Sequence, residues 1–475
     1  MVLSTKIKTT KITGRNILPV FLLAMLCIVL LFDGLRLTDS FFLFKNTQTY
    51  KIIISAITTL SALSITFSRL WRSENWQKKF LLLGIASMVV NLMFSSRAFI
   101  NSSYIFYAFT LIYFLKERKF EKLNLLFWLL TAYFAWHCVS LLWTINISEG
   151  VKQLFDNYLP FLLFPLMFSM FSLTKKEVHL LLMLLFRTAL VAMFISLCCW
   201  VMASRYLDVP LHDWFVSEKT SFSVLMETHK FIYAWVTFQH PTYLSFIYLF
   251  ILGAGFYLRY KKAEIRPNAF ELTLFSIASF ILIIVSQSRI GFTCCAVLVL
   301  FAIIWLLRRH KILLVVSGLV ILISTVVLIN AFSDKFEDIY SLDSRMQMYE
   351  TAIHCVKEKP LTGCGIGGMP TALHSQEYAQ ELGYETALVE PHKHPHNQFL
   401  GDFFQTGIVG LLIILLISGY IIISSYRTKK WLLLYFFTLF LCVMMIEMPL
   451  NYCKGISLMI TFCCLLGKSL KHENH

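Results

Sequence analysis

His392-Lys393-His394-Pro395-His396-Asn397-Gln398-Phe399-Leu400, followed by Gly407-Ile408-Val409-Gly410, ends the longest polar loop of an otherwise apolar chain, and a new apolar run starts there. Three histidines fall within five residues. Histidine is the side chain whose ordinary pKa lets it accept a proton near neutral pH. Set where a water-facing loop returns to lipid, it is a candidate base at the depth of lipid headgroups. A wet loop whose histidines have no role is the other reading.

Composition sets the class around that stretch. The chain is 57% hydrophobic and 15% charged, with a mean hydropathy of +0.69, whereas a soluble domain carries about 25% charged residues. Apolar runs lie near 17–32, 52–68, 80–94, 103–115, 123–143, 154–172, 178–203, 236–258, 269–286, 290–307, 312–331, 407–425, 430–449 and 456–468. They predict an all-α polytopic membrane protein of about 12–14 transmembrane helices. Residues 1–475 read as a single integral domain, with a large helical loop inserted at 332–406. The first run follows Lys6, Lys8, Lys11 and Arg15 without a small-residue cleavage site, and reads as a retained first span.

A net charge of +15 raises nucleic acid as a partner, and the distribution of the charge argues against it. Every second connection is basic: Arg69 to Lys79, Lys116 to Lys122, Lys175 and Lys176, Arg259 to Arg266, Arg308 to Lys311, and Arg427 to Lys430. The basic N-terminus, Lys468 and Lys471 share that side. Under the positive-inside rule both termini are cytoplasmic, and the loops 204–235 and 332–406 lie on the opposite, external side.

Most cysteines sit within apolar runs, where they act as small apolar residues. Cys355 and Cys364 share the external loop, and a disulfide between them is an open alternative in an oxidising compartment. His394 and His396 have no carboxylate or thiol cluster beside them in sequence, so no metal site is expected. Within the loop, Met346, Tyr349, Ile353 and Val356 predict a helix over 343–357, with Asp343 and Ser344 as caps and Lys359-Pro360 as its end. Gly363, Gly365, Gly367 and Gly368 then read as a tight turn; the segment lacks the Lys-Ser/Thr ending of a phosphate loop.

Arg289, in Ser286-Gln287-Ser288-Arg289, stands between two apolar runs with almost no loop. It reads either as a snorkelling helix cap or as a cation for a phosphate-bearing lipid, for which the guanidinium fork is suited. His240, before Pro241, opens another run from the same side and reads mainly as a cap.

These segments together resemble the O-antigen ligase and O-antigen polymerase superfamily of bacterial inner-membrane glycan transferases. Ser140-Leu141-Leu142-Trp143-Thr144-Ile145-Asn146 is similar to an early motif of that family. Ser286-Gln287-Ser288-Arg289 is similar to its span junction. Ser344-Arg345 through Pro360, Gly363, Gly365 and Gly367 is similar to its external loop, and His396-Asn397 through Gly407 and Gly410 to the segment after it. Glu447 and Gly455 fit a looser late pattern.

The resemblance implies transfer of a glycan from undecaprenyl pyrophosphate to a sugar hydroxyl of lipid A–core, at the periplasmic face of the inner membrane. It implies a metal-independent, inverting reaction with no cofactor. His396 is then the expected general base and Arg289 the residue that stabilises the pyrophosphate leaving group. Arg345, Asn397, His394, His240 and Glu447 are expected to bind substrate, with His394 the reserve base. Membrane lipid is a further expected partner. A repeat-unit polymerase acting on a lipid-linked glycan acceptor is the alternative. A flippase is the non-enzyme alternative, disfavoured because the suspicious residues gather at the external interface, with few mid-span candidates such as Asp156, Arg187 and Glu447.

Overall fold

The computed structural model describes residues 76–92, 96–121, 123–206, 241–285, 291–296, 298–299, 339–384 and 394–468. Among them the architecture is all-helical: α1 (Trp76–Asn91), α2 (Ser96–Glu117), α3 (Leu125–Ser140), α4 (Ile147–Gln153), a π turn (Leu154–Tyr158), α5 (Pro160–Ser169), α6 (Lys175–Tyr206), α7 (Pro241–Tyr260), α8 (Ala269–Val285), α9 (Ile339–Glu358), α10 (Met369–Leu373), α11 (Gln376–Glu381), α12 (Gln398–Arg427), α13 (Trp431–Ile446), a 3-10 turn (Pro449–Asn451) and α14 (Cys453–Lys468).

The apolar runs between 80 and 286 and between 407 and 468 fall on these helices. Those at 17–32, 52–68 and 312–331, and most of 290–307, lie outside the described residues. Among the described residues two helices, Tyr243–Tyr260 and Gln398–Arg427, are long and apolar enough to cross a membrane; Leu125–Ser140, Ala269–Ile283, Trp431–Ile446 and Cys453–Gly467 are apolar but shorter. Large apolar side chains at Phe270, Leu274, Ile277 and Phe280 are exposed on α8. At that spacing they form one helical stripe that water does not favour.

The chain divides into two compact units, Met1–Glu117 with His179–Gln239, and Arg118–Val178 with His240–His475. In the first, α1 and α2 form a hairpin around Leu81, Ile85, Met88, Phe99 and Phe106, all buried, and Asn91 Nδ2 donates to Ser102 Oγ at 2.6 Å.

In the second unit, α12 packs against α3 and α13, α13 against α7 and α14, and α14 against α5. The rings of Phe246, Phe250, Phe436, Phe440 and Phe462 interlock where α7, α13 and α14 meet. Tyr435 reaches across from α13 to donate to the Leu249 carbonyl at 2.8 Å. Helix α12 is broken at Gly407, whose backbone is left-handed (φ 70°, ψ −169°). The cause is an insertion: Ile408 N donates to the Pro360 carbonyl at 2.9 Å, and a Cβ at Gly407 would lie 2.1 Å from the Leu361 oxygen. Before the break α12 buries Gln398, Asp402, Gln405 and Thr406; after it, Leu412, Leu415, Leu416 and Ile423 are exposed.

The loop helix exists, with a different face from the one expected. Helix α9 begins at Ile339, so Asp343 and Ser344 lie inside it and do not cap it. Met346 and Ile353 are exposed, and the buried stripe is Met348, Ala352, Cys355 and Val356. Small and sulfur-bearing side chains line it because Phe404 and Met448 press against the same cluster. The expected tight turn is present, with Gly363, Gly365 and Gly367 all left-handed.

Candidate functional site

The site is assembled where α12 begins and α13 ends. Asn397 caps α12 from an extended backbone, its side chain accepting from Leu400 N at 3.0 Å and donating to the Met445 carbonyl at 3.2 Å. One residue earlier, His394, Pro395 and His396 make a three-residue turn in which His396 N donates to the His394 carbonyl at 2.8 Å. His396 sits at φ 39°, in the left-handed region. A histidine held there carries local strain that its surroundings must offset.

Glu447 supplies the opposing contact. It ends α13 in an extended conformation, its N–H donating to the Val443 carbonyl at 2.8 Å, and aims its carboxylate back at the turn. Glu447 Oε2 lies 3.0 Å from His396 Nδ1, with side-chain exposures of 10% and 25%. An ionised carboxylate only accepts, so Nδ1 carries the proton in this contact. With the proton on Nδ1 alone, Nε2 keeps a lone pair that can accept a hydrogen bond. The His394 ring lies 4.4 Å from that of His396 and 6.0 Å from that of Tyr452. Burial, and then the Glu447 charge, hold the Tyr452 phenol above its ordinary pKa, so it stays a hydrogen-bond donor.

A polar chain behind the site fixes the segment that carries Glu447. Gln398 Oε1 accepts from Leu450 N at 2.8 Å, and its amide donates to Asp402 Oδ1 at 3.0 Å. Tyr133 of α3 donates to the same oxygen at 2.8 Å, and both Tyr133 and Asp402 are fully buried.

The glycine turn completes the frame. Trp143 Nε1 donates to the Thr362 carbonyl at 2.8 Å, Thr144 Oγ1 to the Ile366 carbonyl at 2.6 Å, and Ile366 N to Ser140 Oγ at 3.2 Å. On the other side Cys364 N donates to the Phe404 carbonyl at 2.9 Å. At Gly365 (φ 79°) a Cβ would lie 2.3 Å from Thr144 Cα, so only glycine lets the two backbones meet. Three separate sequence motifs are thus one packed body.

Of the residues expected at the site, the fold brings His394, His396, Asn397 and Glu447 together. For Arg345 the structure describes the backbone alone, on α9. Arg289 and His240 lie outside the described residues. One expectation is corrected: the histidine pair does have a carboxylate beside it, brought from 51 residues away by the α12–α13 hairpin. His394, His396 and Glu447 could therefore hold a metal ion, as could His354, Glu358 and Glu381 on the loop. Sequence reasoning missed Gln398, Asp402, Tyr133 and Tyr452. A lone carboxylate at Asp402, just before an uncharged run, was the one signal that could have been followed.

Residues 274–415 match the family model described as O-Antigen ligase, a stretch shorter than half the chain. Over that stretch the chain is similar to the O-antigen ligase family, a likeness that points at a coarse level to glycan transfer of the ligase or polymerase type. The matched stretch contains the glycine turn, His396 and the α12 break; Trp143 and Glu447, outside it, are joined to it by the fold. No curated protein matches this chain.

Proposed function

We propose that the protein is an O-antigen ligase-like transferase of the bacterial inner membrane. It moves a glycan from undecaprenyl pyrophosphate to a sugar hydroxyl of lipid A–core on the periplasmic face. The observation that carries this reading is the 3.0 Å contact between His396 Nδ1 and Glu447 Oε2 at the start of a long apolar helix. Glu447 orients the ring, and Nε2 removes the acceptor proton as the sugar oxygen attacks the anomeric carbon. The bond to the pyrophosphate breaks in the same displacement, which inverts the anomeric centre. Arg289 binds the departing pyrophosphate, and Arg345 and His240 bind phosphate or glycan. The reacting groups need no metal, because the donor arrives already activated.

The exposed stripe on α8 and the apolar face of α12 support a lipid setting for this chemistry. The alternating basic connections support a cytoplasmic position for both termini. The test is the glycolipid profile of a deletion strain, complemented in turn by wild type and by His396→Ala. Unsubstituted core beside accumulated polymer is the expected result, rescued by wild type alone. Core carrying single repeats would reassign the chain as a polymerase. Donor trapped on the inner leaflet would make it a flippase.

A further inference from the structure

Cys355 and Cys364 are the cysteines that the proposed transfer reaction leaves without a purpose. The other described cysteines belong to apolar helices, where a thiol is a small apolar group. These two belong to the inserted loop and share one buried cluster with Met348, Ala352, Met369 and Phe404. Each is only 1% exposed. The path between them is compact: Lys359 N donates to the Cys355 carbonyl at 2.9 Å, and Gly363 N to the Lys359 carbonyl at 2.8 Å. Within that cluster, the neighbouring Cys364 side chain is the main cause that lowers the Cys355 pKa. Burial raises that of Cys364.

We propose that Cys355 and Cys364 form a structural disulfide that fastens the end of α9 to the glycine turn. The inference rests on the proposed periplasmic position of this loop. Chemically it is two thiol–disulfide exchanges with a dithiol oxidase of that compartment. The Cys355 thiolate attacks one sulfur of the oxidase disulfide and releases the other as a thiolate. The Cys364 thiolate then attacks the Cys355 sulfur of the mixed disulfide and releases the second oxidase thiolate. Two protons and two electrons leave the chain, and the oxidase is reduced by the same amount. Because both sulfurs are enclosed in the folded unit, the bond forms while the loop is still folding. Its effect on the site is indirect: Ser140, Trp143, Thr144 and Phe404 all rest on the turn that the bond would hold.

The experiment uses the full chain in membranes. The sample is denatured in detergent with N-ethylmaleimide before any reduction, and then digested with trypsin, which cuts after Lys357 and separates the two cysteines. The expected product is one species joining the Cys355 and Cys364 peptides, released only by reduction. Maleimide on both cysteines before reduction overturns the proposal. A separate Gln380→Cys variant, at an exposed position on α11, is labelled in intact cells with an impermeant maleimide. Free thiols in a loop that labels from outside overturn the disulfide alone. Free thiols in a loop that labels only after lysis overturn the proposed orientation as well. Reduction should also lower the unfolding temperature of wild type and leave that of a Cys355→Ser, Cys364→Ser double variant unchanged. Equal responses from the two proteins would refute the stabilising role.

Discussion

Among the described residues of the second unit, two histidine–carboxylate hydrogen bonds look alike in distance and differ in setting. His354 Nε2 lies 2.7 Å from Glu381 Oε2, closer than His396 Nδ1 is to Glu447 at 3.0 Å. Glu381 is nevertheless 47% exposed, against 10% for Glu447. The loop contact joins α9 to α11 across the surface, where water and salt screen it and such pairs contribute about 0–1 kcal/mol. The other contact fixes a strained residue between two helix ends, backed by buried Gln398 and Asp402. Distance alone would rank the wrong pair first. Burial and the rigidity of the supporting backbone mark the contact at which chemistry is expected.

His396→Ala carries the largest expected effect. Removing a general base costs about 10²–10⁴-fold in rate, so product should vanish in a transfer assay on purified protein while donor lipid still binds. Full activity in that variant would end the base assignment. His354→Ala, tested in parallel, should keep wild-type transfer.

Glu447→Gln comes next. It preserves shape and loses the charge that orients the ring, so a fall of about 10–100-fold is expected, as for other residues that act through a neighbour. Glu381→Gln should leave the rate unchanged. Equal losses in both would show that the two contacts do not differ in the way their settings imply.

Gly365→Ala probes the supporting frame. Its Cβ would enter the Thr144 backbone, while Gly383, equally left-handed at φ 82°, has nothing within 4 Å. Gly383→Ala should cost about 1–2 kcal/mol from backbone strain. Gly365→Ala should cost clearly more, read as a lower unfolding temperature in detergent. Similar costs would mean that the turn is not held as tightly as its contacts indicate.

The smallest expected effect is that of chelation. Either histidine–carboxylate group could take a divalent ion, but the proposed chemistry needs none, so exhaustive treatment with EDTA should leave transfer intact. Loss restored by zinc would turn the His394, His396 and Glu447 group into a metal centre.

Much of the local structure was readable beforehand. The apolar run at 407–425 lies on α12, although that helix starts earlier, at Gln398, with Asn397 as its cap. Gly363, Gly365 and Gly367 marked a turn, because closely spaced glycines permit left-handed backbone. The face of α9 was misread because Ala352 and Cys355 carry little apolar weight in a sequence pattern, yet they sit where Phe404 and Met448 leave room only for small side chains. The pairing of His396 with Glu447 was invisible for a different reason. No periodicity connects two positions on separate helices.

The chain's order of residues was enough to establish its apolar helical character, the glycine turn and the catalytic candidate at the end of the polar loop. Those properties depend on neighbours within a few positions, through capping, backbone preference and the 3.6-residue repeat. Three things came from the folded chain alone: the carboxylate that faces the histidine, the glycine turn seated between Trp143 and Phe404, and the burial of Cys355 and Cys364 in one cluster. Each is a contact between residues on different elements, and only packing in three dimensions selects which distant side chains become neighbours.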